Sequence, residues 1–70
     1  MSNDTTFPMA SIIRLMKSSG AERVSREAAL AMDAKLTAIA NSWTKKATAL
    51  ATHAKRATVK AEDIDLASSE

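Results

Sequence analysis

Cysteine is absent from the 70 residues, so neither a disulfide nor a thiolate metal site can brace the fold. Glycine and proline occur once each, at Gly20 and Pro8, which removes any glycine-rich phosphate loop. Phe7 and Trp43 are the whole aromatic complement, too little for a platform on which single-stranded bases could stack. His53 is the single histidine, so one chain offers no zinc site of ordinary ligand count. No apolar run approaches the roughly 20 residues of a membrane span. The start, "MSNDTT", has neither the basic residues nor the apolar stretch of a secretory signal. No acid–base or nucleophile constellation suggests an enzyme, and no cofactor is implied. These absences point to a soluble intracellular protein whose business is binding. The formal charge of +2 and pI near 9.3 make the chain mildly basic. Such a balance indicates nucleic acid only if the cations gather on one surface.

What is present is helical. Alanine, leucine and methionine dominate, all strong helix formers. Pro8 suits the first turn of a helix, where its missing N–H costs nothing. The stretch "MASIIRLMKSS" then carries an apolar stripe of Met9, Ile12, Ile13 and Met16. Gly20 fits the left-handed cap that ends such a helix. Ser25 is the next N-cap, with Glu27 placed to complement the helix dipole. No breaker follows until about His53. Across that span Met32, Leu36, Ile39, Trp43, Ala47, Leu50 and Ala54 recur at intervals of three and four, one face of a long helix. A third, shorter helix starts near Lys60 or Ala61 and carries Ile64, Leu66 and Ala67. Thr58 and Val59 favour an extended piece before it, which Val24 in the first loop is able to pair with. Residues 1–6 form a short flexible arm and residues 7–70 a single domain.

A long helix of about 40 Å outreaches what one small domain can cover. Two chains crossing at this helix bury the stripe, with Trp43 near the middle of the crossing. The physical expectation is a dimer.

The order short helix, loop, long helix, loop, short helix resembles the histone fold. "GAERVS" at 20–25, "HAKRATVKAEDIDLA" at 53–67, and Pro8, Arg14 and Lys17 in the first helix resemble archaeal histones, with no evident gap from about Phe7 to Ala67. The resemblance implies an all-α, intertwined handshake dimer, formed with itself or with a paralogous histone. It implies binding, bending and wrapping of double-stranded DNA as part of the nucleoid, with tetramers or superhelical fibres built from dimers. Carried onto this chain, it implies DNA contacts at Arg14, Lys17, Arg23, Ser25, Arg56, Thr58 and Lys60. It implies a dimer core of Met32, Leu36, Ile39, Trp43 and Ala47, and a dimer–dimer interface of Leu50, His53, Asp63 and Leu66. Arg56 and Asp63 would also form a pair that fixes the second loop, and Gly20 would permit close approach between stacked turns.

The bland readings stand beside these. Arg14 and Lys17 are also what the solvated face of an amphipathic helix presents, and Trp43 is foremost a core residue. Lys45, Lys46, Asp65 and Glu70 read as solvated surface. Glu62 and Asp63 also complement a helix N-terminus. The chain departs from the family pattern in "KRAT" at 55–58, where Lys55 stands in place of a glycine and Ala57 in place of a lysine. Lys35 falls where an apolar residue is usual. The third helix has only Ser68, Ser69 and Glu70 after Ala67, which predicts weaker joining of dimers. The competing reading is a histone-fold dimerisation scaffold that does not wrap DNA.

Overall fold

The computed structural model describes residues 5–69, so the expectations for residues 1–4 of the arm and for Glu70 lie outside it. Three helices follow one another, α1 (Met9–Ser18), α2 (Arg26–His53) and α3 (Ala61–Ser68). The all-α, short–long–short order is the one expected. Among the described residues no strand forms, and Val24 and Val59 both lie in irregular segments. No helix of the described residues is long and apolar enough to cross a membrane.

Each boundary has a local chemical cause. Pro8 takes φ −58° and ψ 132° just before α1, and its carbonyl accepts the N–H groups of Ser11 and Ile12 at 3.0 and 3.2 Å. At the far end the amide of Gly20 donates to the Lys17 carbonyl at 3.0 Å, and that of Ala21 to Met16 at 3.1 Å. These two bonds make a Schellman cap, which requires left-handed backbone at its turning residue. Gly20 supplies it, with φ 120°.

α2 starts at Ser25, whose hydroxyl oxygen accepts the Ala28 N–H at 3.0 Å. This satisfies one of the N–H groups that have no partner inside the helix. Its end repeats the pattern of α1. The amide of Lys55 donates to the Thr52 carbonyl at 2.9 Å, and that of Arg56 to Ala51 at 2.8 Å. The turning residue here is Lys55, at φ 63°, the one non-glycine residue with positive φ among those described. A side chain in that conformation costs roughly 1 kcal/mol relative to glycine. α3 opens differently. Asp63 reaches back so that its Oδ2 accepts the Lys60 N–H at 2.8 Å. The reciprocal half of a capping box cannot form, because a lysine side chain has no acceptor.

The internal contacts divide the chain into two units, Met1–Thr37 and Ala38–Glu70, and α2 contributes to both. The first unit buries Ile12, Ala29 and the acidic Asp33. The second buries Ala47, Ala51, Ala67 and Asp63. Ile12 is the largest fully buried side chain among the described residues, and the other buried apolar residues are alanines. Meanwhile Ile39 remains 43% exposed and Trp43 38%. The largest apolar groups of the long helix are therefore not what this chain packs inside itself.

Candidate nucleic-acid interface

The second loop, residues 54–60, is held by a single arginine. Arg56 donates from Nη1 to Asp63 Oδ2 and from Nη2 to Asp63 Oδ1, both at 3.0 Å. This parallel fork is the strong geometry for a guanidinium on a carboxylate. Nη1 also donates to the carbonyl of Thr58 at 2.9 Å, and Nη2 lies 3.8 Å from Glu62 Oε2. Asp63 thus ties together the loop, through Arg56, and the start of α3, through the Lys60 amide. Its side chain is only 4% exposed. The hydrogen bonds from Arg56 and then from the Lys60 amide hold the Asp63 carboxyl below the usual aspartate range. The same pair, led by the hydrogen bond, raises the Arg56 guanidinium further above its already high value.

The residues singled out for DNA contact fall in both units. In the first, Arg14 and Lys17 are exposed on α1, three positions apart and so on one side of that helix. Arg23 is exposed in the loop that follows, and the capping Ser25 is exposed as well, with its hydroxyl proton still free to donate. In the second unit, Thr58 and Lys60 are exposed, whereas Arg56 is half-buried against Asp63. Among the described residues, Arg14, Lys17, Arg23 and Lys60 make no salt bridge.

The residues expected in protein contacts are distributed unevenly. Met32 and Leu36 are half-buried, Ile39 and Trp43 exposed, and Ala47 buried. Leu50, His53 and Leu66 line one open groove between the end of α2 and α3, together with Lys46, Ala49, Ala67 and Ser69. Leu66 is 59% exposed there. Asp63 is not part of that lining. It accepts three hydrogen bonds within its own chain, which leaves one acceptor position on Oδ1. Lys35 is exposed on α2, and Gly20 has nothing within 4 Å of where a Cβ would stand, so its φ and not crowding demands glycine.

Asp33 carries no motif that would single it out, yet it is among the most connected side chains of the first unit. Its Oδ1 accepts the N–H groups of Thr6 at 3.1 Å and Phe7 at 2.9 Å, and its Oδ2 accepts Thr6 at 3.0 Å. The carboxylate therefore anchors the segment leading into α1. Its setting shows only in the folded chain. Asp33 lies one helical turn after the buried Ala29, on the side of α2 that faces inward.

The comparisons with known proteins agree with this layout. The family model described as histone-like transcription factor (CBF/NF-Y) and archaeal histone matches residues 5–67. An archaeal histone of Thermococcus zilligii, one of the subunits named HAN1, is 53% identical over 61 residues, covering 87% of this chain and 91% of the relative. A probable archaeal histone 3 of Methanocaldococcus jannaschii is 43% identical over 61 residues, with the same shares covered. With nearly its whole length matched and its helices in the expected order, the chain belongs to the family of archaeal histones and histone-like transcription factors.

Proposed function

We propose that this protein is an architectural component of the nucleoid that dimerises through α2 and binds, bends and wraps double-stranded DNA largely independently of sequence. The observation that carries the reading is that four exposed cations at the positions the resemblance assigns to DNA, Arg14, Lys17, Arg23 and Lys60, make no salt bridge among the described residues, in a chain of this family. The first three belong to one unit and the last to the other. Arginine and lysine of this kind contact phosphate, which fixes position on the duplex and carries no sequence information. The hydroxyls of Ser25 and Thr58 add donors to the same backbone. In a handshake dimer the first loop of one chain would meet the second loop of its partner and pool their charge. Arginine entering a narrowed minor groove would then favour DNA that bends easily.

Dimerisation is supported by the exposure of Ile39 and Trp43 on a helix of 28 residues. The partner is a second copy or a paralogous histone. Further joining into tetramers or superhelical fibres would use the groove at Leu50, His53 and Leu66, and a neighbour's imidazole would have to reach the one remaining acceptor position of Asp63, whose side chain is only 4% exposed. Electrostatics would supply most of the DNA affinity, so binding should fall steeply between about 50 and 200 mM salt. A mobility-shift titration across that range, run beside sedimentation of the protein alone, tests both parts. Binding that hardly responds to salt overturns the mechanism.

A second reading, a histone-fold scaffold that leaves DNA unwrapped, draws on the small net charge of +2. Nuclease digestion separates the two. Protected fragments support wrapping, a ladder of them supports fibres, and digestion to completion supports the scaffold.

A further inference from the structure

Lys55 is the point where local stability and charge pull in opposite directions. Its position closes the Schellman cap of α2, and the cap demands left-handed backbone there whatever residue occupies it. Glycine meets that demand without strain, as Gly20 does at the end of α1. Lysine does not, and among the described residues no contact of its side chain offsets the strain. The side chain is exposed, and among the described residues it makes no hydrogen bond and no ion pair. Its neighbour Arg56 is half-buried with both terminal nitrogens on the Asp63 carboxylate, which offsets much of its charge locally. Ala57 contributes no charge at all. The loop from 54 to 60 therefore offers two ammonium groups to the outside, Lys55 and Lys60, one at each end.

We propose that Lys55 binds the DNA phosphate backbone, and that the strained residue is kept for the charge it delivers. Backbone strain of this kind is often held where a side chain has work outside the fold. The ligand is the phosphodiester, so Lys55 adds affinity without preference for any base sequence. The bidentate pair of Arg56 and Asp63 serves it indirectly, by fixing the loop between the two lysines. This assignment rests on the DNA-binding reading above and deepens it.

The decisive variant is Lys55→Gly, since glycine is the residue this backbone prefers and the protein should fold at least as well. Its melting temperature should rise by a few degrees, about the shift that relief of such strain gives a domain of this size. Its affinity for a duplex of mixed sequence should nevertheless drop several-fold. The plot of log affinity against log salt should become shallower by about 0.9 for each phosphate that Lys55 neutralises, hence by about 1.8 for a dimer. Lys45→Gln, which removes one charge from the exposed middle of α2, serves as the control and should leave that slope unchanged. Unaltered affinity and slope in Lys55→Gly overturn the assignment while leaving DNA binding by the native protein intact. An equal drop in Lys45→Gln overturns it too, because the effect would then be one of net charge. If the native protein fails to bind duplex DNA, both this assignment and the reading beneath it fall.

Discussion

Phe7 and Asp33 are joined by a hydrogen bond of 2.9 Å that spans 26 positions of sequence, from the backbone ahead of α1 to a side chain on α2. With the Thr6 amide on the same carboxylate, Asp33 gathers the N–H groups of two consecutive residues. Truncation to Asp33→Ala would leave those amides without their acceptor. The expected cost is about 2 kcal/mol, because hydrogen bonds to a charged, largely buried partner are among the stronger ones. Asp33→Asn keeps one acceptor oxygen and should lose less. Urea unfolding of the three proteins at one concentration checks the order. Equal stability of native protein and Asp33→Ala would contradict it.

The acid limb of stability should carry the mark of Asp63. Its carboxyl is held below the usual aspartate range in the folded chain, so the folded state favours the ionised form. The contribution is fully present above the unfolded value of about 3.9 and is lost as pH falls through the lower folded value. Asp63→Asn should therefore melt lower than the native protein at pH 6, and the gap should close as the pH is brought below about 3. A gap that stays constant across that range would mean the pair adds nothing that depends on charge.

Trp43 is the sole tryptophan, so its fluorescence reports on α2 without ambiguity. In the proposed dimer its exposed ring becomes covered, and dilution to monomer should shift its emission to longer wavelength. Ile39→Glu would place two carboxylates in each dimer interface. Because about 1.4 kcal/mol is tenfold in an equilibrium constant, the dissociation constant should rise by roughly a hundredfold or more. Sedimentation equilibrium of native and variant protein measures this directly. A native chain that sediments as a monomer at every concentration would remove the basis for the dimer.

Much of the fold is legible in the sequence alone. Ser25, Gly20 and the three-and-four spacing from Met32 to Leu50 are local signals, and local hydrogen bonding decides where helices begin and end. The family motifs added the expectation of a handshake dimer. Asp33 was not legible in the same way, because its partners arrive from 26 and 27 positions away and leave no pattern in the neighbouring residues. Lys55 was visible as a departure from the family's glycine, but its left-handed backbone was not, since the hydrogen bonds from Lys55 and Arg56 impose it. Arg56 shows the opposite limit. Its sequence position suits both a phosphate and an internal carboxylate, and the short distances to both oxygens of Asp63 show the second of these.

The small interior has a consequence for how much of this protein a cell can hold. With alanines filling most of the buried apolar positions, an isolated chain has little to resist unfolding. If folding is completed only by association, mass action makes the folded fraction grow with abundance. Chains made in excess of their partners would open often and be cleared by proteolysis, while those engaged in assemblies would persist. Supply would then be trimmed to demand by turnover alone.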